Sequence, residues 1–134
     1  MSVVSIKERW IVENVQKSID FYSKQLGFEI GFVGEGPKFA ILHRGNFSVM
    51  LRQLNETGHI RPNRIPFIKA GWHSQGKEAW DAYIWVEDAE ALYDEFLSKD
   101  VSIIKTIQDT TYGNRDFEIE DIDGYIICFG HSID

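Results

Sequence analysis

Asp81, Tyr83 and Trp85 alternate with Ala82, Ile84 and Val86. A strand through them has one greasy face and one mixed face carrying a carboxylate and two aromatic rings. A second alternation, Asp116-Phe117-Glu118-Ile119-Glu120, interleaves acids with apolar residues. If Phe117 and Ile119 meet a helix, then Asp116, Glu118 and Glu120 face the other way. Aromatic planes with carboxylates among them suit a flat, positively charged molecule: stacking supplies contact area and the acids counter the charge. A low-dielectric groove strengthens such pairings over their value in water. The plainer fates of these residues are a solvated strand face for the acids and subunit core for Tyr83 and Trp85. Nucleophilic chemistry has little support. His73-Ser74 lacks the glycines of a nucleophile elbow. Cys128 has no identifiable basic neighbour and reads as a small buried hydrophobe.

The elements that must position these residues repeat. Val12-Glu13-Asn14-Val15 opens a helix whose stripe is Val15, Ile19, Tyr22 and Leu26, and Gly27 suits its left-handed cap. Val86-Glu87-Asp88-Ala89 opens another, with Leu92, Tyr93, Phe96 and Leu97 on its stripe. Strands are predicted over Arg9–Val12, Phe28–Val33, Phe39–His43 and Phe47–Gln53 around the first helix. Around the second they fall from Trp80 to Val86, at Ser102–Gln108, at Arg115–Glu120 and at Tyr125–Phe129. This is β-α-β-β-β twice, with modules of about 7–53 and 80–130 in a single domain. Two such half-sheets can face each other across a cleft. Between them, 54–79 holds prolines and glycines without a sustained period and reads as a long excursion. Its Trp72 either packs the loop down or walls a pocket.

With 134 residues the chain can bury a real core. Its 14 basic against 21 acidic side chains give −7, which argues against nucleic acid and is compatible with a cationic partner. No run approaches the ~20 apolar residues of a membrane span, and residues 1–9 lack the apolar core of a leader. A single cysteine permits no internal disulfide, which suits a reducing cytoplasm. The expectation is a cytoplasmic protein without membrane or nucleic-acid partners.

Ser18-Ile19-Asp20-Phe21-Tyr22, continuing to Leu26-Gly27-Phe28-Glu29, and the turn Asp121-Ile122-Asp123-Gly124-Tyr125 carry a resemblance. In order and at this separation they resemble the vicinal oxygen chelate superfamily, which includes glyoxalase I, extradiol dioxygenases, fosfomycin-resistance proteins and bleomycin-resistance proteins. The fold it implies is α+β, with two tandem βαβββ modules forming a curved, cleft-bearing mixed sheet. Its enzymes place histidine, glutamate or glutamine ligands on the first and last strand of each module. Those positions fall here at Lys7, Leu51, Asp81 and Cys128. An ammonium has no lone pair and leucine no donor atom. The expectation is therefore no metal and no other cofactor.

Phe39-Ala40-Ile41-Leu42-His43-Arg44-Gly45 with Phe47-Ser48-Val49-Met50-Leu51 is similar to the hairpin of bleomycin-resistance proteins. So are Ala82 to Leu92 and Arg115 to Asp121. Those relatives hold a large cationic glycopeptide in a groove between two subunits and leave it unaltered. The resemblance thus implies a homodimer that sequesters a cationic aromatic small molecule, without turnover. Its expected lining is Asp81, Tyr83, Trp85, Asp116 and Glu118, joined by Phe39, Phe47, Trp72 and Tyr112. The alternative is a metal-dependent lyase, dioxygenase or thiol transferase whose ligands stand elsewhere.

Overall fold

The computed structural model describes residues 1–3, 6–54, 64–71 and 79–134, and Trp72 lies outside them. The chain divides into two compact units, 1–58 and 59–134. In the first, β1 (Ile6–Val12) leads into α1 (Val15–Asp20), and β2 (Glu29–Val33), β3 (Phe39–Arg44) and β4 (Phe47–Gln53) follow. In the second, α2 (Arg64–Lys69) precedes β5 (Ala82–Trp85), α3 (Ala89–Ser98), β6 (Ile103–Asp109), β7 (Asn114–Glu120) and β8 (Ile126–Ser132). The sheets are four-stranded, ordered β1-β4-β3-β2 and β5-β8-β7-β6. In each, the first strand pairs parallel with the last and the other neighbours run antiparallel. This is the α+β pattern of tandem βαβββ modules.

Matching caps start both long helices. Asn14 Oδ1 accepts from the Lys17 N–H at 3.0 Å, and Asp88 Oδ1 from the Ala91 N–H at 3.0 Å, each satisfying an orphan donor of the first turn. The first helix was expected to run unbroken to Leu26. Instead it widens into a π-helical turn over Phe21–Gln25, where the Leu26 N–H donates to Phe21 O at 3.2 Å. Gly27 then takes φ 72°, and Arg44 Nη1 donates to Leu26 O at 2.7 Å, closing the end of the helix. A short helix, α2, stands within the segment read as an excursion, and none of its residues is buried.

One face of each sheet is covered by its own helix. In the first unit, α1 lies against β3 and β4, over the fully buried Ala40, Leu42, Val49 and Leu51. In the second, Phe96 of α3 meets Phe117 and Phe129 at ring separations of 6.0 and 5.4 Å. Phe117 and Phe129 stack at 5.5 Å. Alternation then sends Asp116 and Glu118 to the opposite, helix-free face.

The aromatic layer under α3 is the core of the second unit. Phe96→Ala is expected to cost about 3–5 kcal/mol, whereas Phe32→Ala, on an exposed ring of β2, should change stability by less than roughly 0.5 kcal/mol. Urea unfolding with unchanged slope checks both.

Candidate functional site

The helix-free face of the second sheet centres on Asp116, whose side chain is fully buried. A carboxylate out of water is tolerated only when paired and hydrogen-bonded. Asp116 Oδ1 accepts from Lys105 Nζ at 2.7 Å. Its Oδ2 accepts from the Tyr83 hydroxyl at 3.0 Å and from the Tyr112 hydroxyl in a short bond. Asn114 Nδ2 donates to the Tyr83 oxygen at 2.9 Å. Lys105 also reaches Glu118 Oε2 at 3.2 Å, so one ammonium bridges two carboxylates on neighbouring same-face positions of β7.

Register explains the gathering. Lys105 pairs with Glu118 and Gln108 with Asp116, with a shift between them that leaves Lys105 beside both acids. Tyr112 sits in the turn before β7, where Gly113 adopts φ 86°. Tyr83 of β5 reaches Asp116 of β7 across β8, and Gly130 of β8 is the Cα partner of Asp116. A Cβ at Gly130 would collide with the Tyr83 hydroxyl and come 2.7 Å from Asp116 Cβ. Glycine in this strand interior marks close approach.

Above the polar network stand aromatic rings. Trp80 packs on Tyr83 at 5.0 Å and Tyr112 at 6.4 Å, and Tyr83 meets Trp85 at 5.5 Å. Trp85 is 65% exposed, Tyr112 54% and Trp80 38%, so large apolar surface remains available at the rim.

Burial and the neighbouring carboxylates shift the phenols, the ammonium and the thiol around Asp116. Burial, and next the bond to Asp116, push the Tyr112 phenol above the ordinary tyrosine range. Burial also raises Tyr83; the bond from Asn114 opposes it and the interactions with Asp116 add to it. For Lys105 desolvation is the largest influence and acts downward, but the Asp116 hydrogen bond and both carboxylate charges outweigh it and raise the ammonium's pKa. Burial, then Asp116 and Glu118, push the Cys128 thiol up, which disfavours the thiolate that nucleophilic attack requires.

Of the residues expected from sequence, Tyr83, Trp85, Tyr112, Asp116 and Glu118 come together, with Cys128 between β5 and β7 in register. Trp80, Lys105, Asn114 and Gly130 were missed. Asp81 does something else: its Oδ2 accepts from the Ile126 N–H at 2.8 Å, and its own N–H donates to Ile126 O at 2.8 Å. It ties the entry of β5 to the start of β8. Phe47 belongs to the helix-covered face of the first sheet, against Phe28 at 6.0 Å. Phe39 is on that sheet's opposite face, beside Phe32 at 6.2 Å.

The implied metal ligands do not fit a divalent ion. Leu51 corrects to the helix-covered face: it is the Cα partner of Ala40 and Trp10, all of them buried. The flanking positions, Met50 and Arg52, offer a thioether and a cation, both poor ligands for hard divalent ions. Lys7 is exposed on β1, Asp81 binds backbone, and Cys128 is a lone buried thiol. Asp116 and Glu118 already share the Lys105 ammonium. Among the described residues, no group of three or more His, Cys, Asp or Glu side chains could hold a metal. Nor is any described helix long and apolar enough to cross a membrane.

Gly130→Ala is expected to unseat the Tyr83–Asp116 bond at a cost of about 1–3 kcal/mol, read by urea unfolding. The raised phenols and ammonium bind protons more tightly folded than unfolded. Their contribution is therefore complete below about pH 10, where the unfolded groups titrate, and declines as pH rises further. Tyr83→Phe should shallow that alkaline loss of stability. Identical alkaline slopes in the two proteins would contradict the network.

The architecture has relatives. The Glyoxalase/Bleomycin resistance protein/Dioxygenase superfamily profile matches residues 9–129. No curated protein sequence matches. Among solved structures, TioX from Micromonospora sp. ML1 superposes with TM-score 0.73 at 16% identity, over 98% of this chain and 100% of that one. The bleomycin-binding protein from bleomycin-producing Streptomyces verticillus, complexed with copper(II)-bleomycin, does so with TM-score 0.67 at 19% identity, over 96% of each chain. A glyoxalase/bleomycin resistance protein/dioxygenase from Alicyclobacillus acidocaldarius gives TM-score 0.73 at 12% identity, over 97% and 92%. At such identities these likenesses concern the fold. With the profile spanning both modules and the duplicated sheet-and-helix plan, the chain belongs to the Glyoxalase/Bleomycin resistance protein/Dioxygenase superfamily.

Proposed function

We propose that this protein is a binding protein of the bleomycin-resistance type. It sequesters a cationic aromatic small molecule on the helix-free face of its second module, in a groove completed by a second copy of the chain. It uses no metal and performs no turnover. The observation that carries the reading is a set of exposed rings, Trp80, Trp85 and Tyr112, around a buried carboxylate whose bonds orient two of the neighbouring phenols. Exposed aromatic faces offer contact area and a negative quadrupole to a cation.

The chemistry follows from what each group already does. Asp116 has its acceptor sites engaged by Lys105 and two phenols, so it serves as the anchor that fixes Tyr83 and Tyr112. Glu118, at the margin of the network, lends negative charge to the face. Trp85 supplies the largest exposed ring surface of the group. The solved Streptomyces verticillus relative, a bleomycin-binding protein, is consistent with small-molecule capture on this fold.

Isothermal titration with bleomycin and with ethidium should show uptake, and Trp85→Ala should weaken it at least about tenfold. Glu90→Gln, which removes a charge on α3, should leave uptake unchanged. Chelator treatment should not alter binding, and sedimentation should give a dimer. Failure of all such cations to bind would overturn the ligand assignment. Stoichiometric Mn, Fe, Ni or Zn in purified protein, lost together with activity, would favour an enzyme instead.

A further inference from the structure

We infer that Lys105 is the residue that sets which ligand charge this face prefers, favouring monocations over dications of the same ring system. The inference rests on the binding reading above and adds the ligand's charge class to it. Aromatic rings alone take flat molecules of several charges, so charge discrimination must come from the fixed ions beneath them. The ions bonded into one cluster there are Asp116, Glu118 and Lys105, with the ammonium 2.7 and 3.2 Å from the two carboxylates, while Glu120 and Asp81 stand outside it, towards the Ile126 end of the sheet. The cluster sums to one net negative charge. A monocation completes it. A dication brings a second charge that finds no counter-charge within the cluster and meets the lysine's own, the repulsive element that specificity often needs.

Geometry keeps that lysine in place. Its side chain is only 26% exposed, and two acids on one strand hold the head from the same side. Burial also limits screening by salt. The neighbouring cation on β7, Arg115, alternates to the helix side, where Asp109 and Glu90 bind it. It therefore does not contribute to the balance on the aromatic face.

The test is a charge series read by equilibrium dialysis with three phenanthridine probes: ethidium as monocation, propidium as dication and neutral phenanthridine. Wild type should prefer ethidium to propidium. Lys105→Met, which leaves two negative charges, should shift that ratio about tenfold towards propidium, as expected for one poorly screened charge nearby. Glu118→Gln, which leaves none, should lose the preference of ethidium over phenanthridine. The double variant K105M/E118Q restores one negative charge and should restore wild-type selectivity. A merely structural role for Lys105 predicts instead that the double variant behaves as badly as K105M or worse. If K105M does not fold, the Glu118→Gln ratio decides alone. Binding with unchanged ratios across the series overturns the inference and leaves the binding reading standing. Absence of binding by every protein in the series overturns both.

Discussion

A carboxylate with no access to water is the constraint on which the second module is built. Left unpaired, Asp116 would cost about 3–5 kcal/mol, a large share of the ~5–15 kcal/mol by which a domain is stable. Its side chain therefore dictates its neighbours. It draws the Lys105 ammonium to one oxygen and the hydroxyls of Tyr83 and Tyr112 to the other. Those contacts fix two aromatic rings, and Trp80 and Trp85 pack on them. The exposed aromatic rim is thus held from below by a buried charge, an arrangement that fixes the rings in place.

The same constraint separates this face from a metal centre. Two carboxylates and a thiol on adjacent strands would ordinarily invite a cation. Here the cation is built in, as a lysine whose stem comes from β6. The thiol is pushed towards its neutral form by burial and by those carboxylates. The first module was given different materials at the related positions of β1, where Lys7, Arg9 and Ile11 correspond to Asp81, Tyr83 and Trp85. The two modules share the strand-to-helix plan and its caps, while their helix-free faces differ in chemistry.

Much of the architecture was legible because caps and stripes are local. Asn14 and Asp88 announce helix starts from neighbours within one turn, and Gly27 announces an end. The π-helical turn was not legible, since Ile19, Tyr22 and Leu26 keep helical spacing straight through it. The faces of β4 were misread for a related reason. Phe47, Val49 and Leu51 are apolar, but Met50 on the other face and Phe39 and Ile41 of β3 are too, so alternation gave no direction until register tied Leu51 to Trp10 and Ala40. On β7, Phe117 and Ile119 against acids made the direction plain. Lys105 was invisible for want of local signal: it stands among Ile103, Ile104 and Ile107 and meets its acids only through an irregular ladder. Gly130 was the one missed clue, a glycine inside a strand that asks what approaches it so closely.

The central claim is that ligand settles on the rim formed by Trp80, Trp85 and Tyr112. Its most direct measurement follows the tryptophan indole N–H resonances by NMR during titration with ethidium. The account predicts saturable shifts of the Trp80 and Trp85 signals, while Trp10, buried in the first unit, stays where it is. Saturable binding that leaves Trp80 and Trp85 unmoved would contradict it.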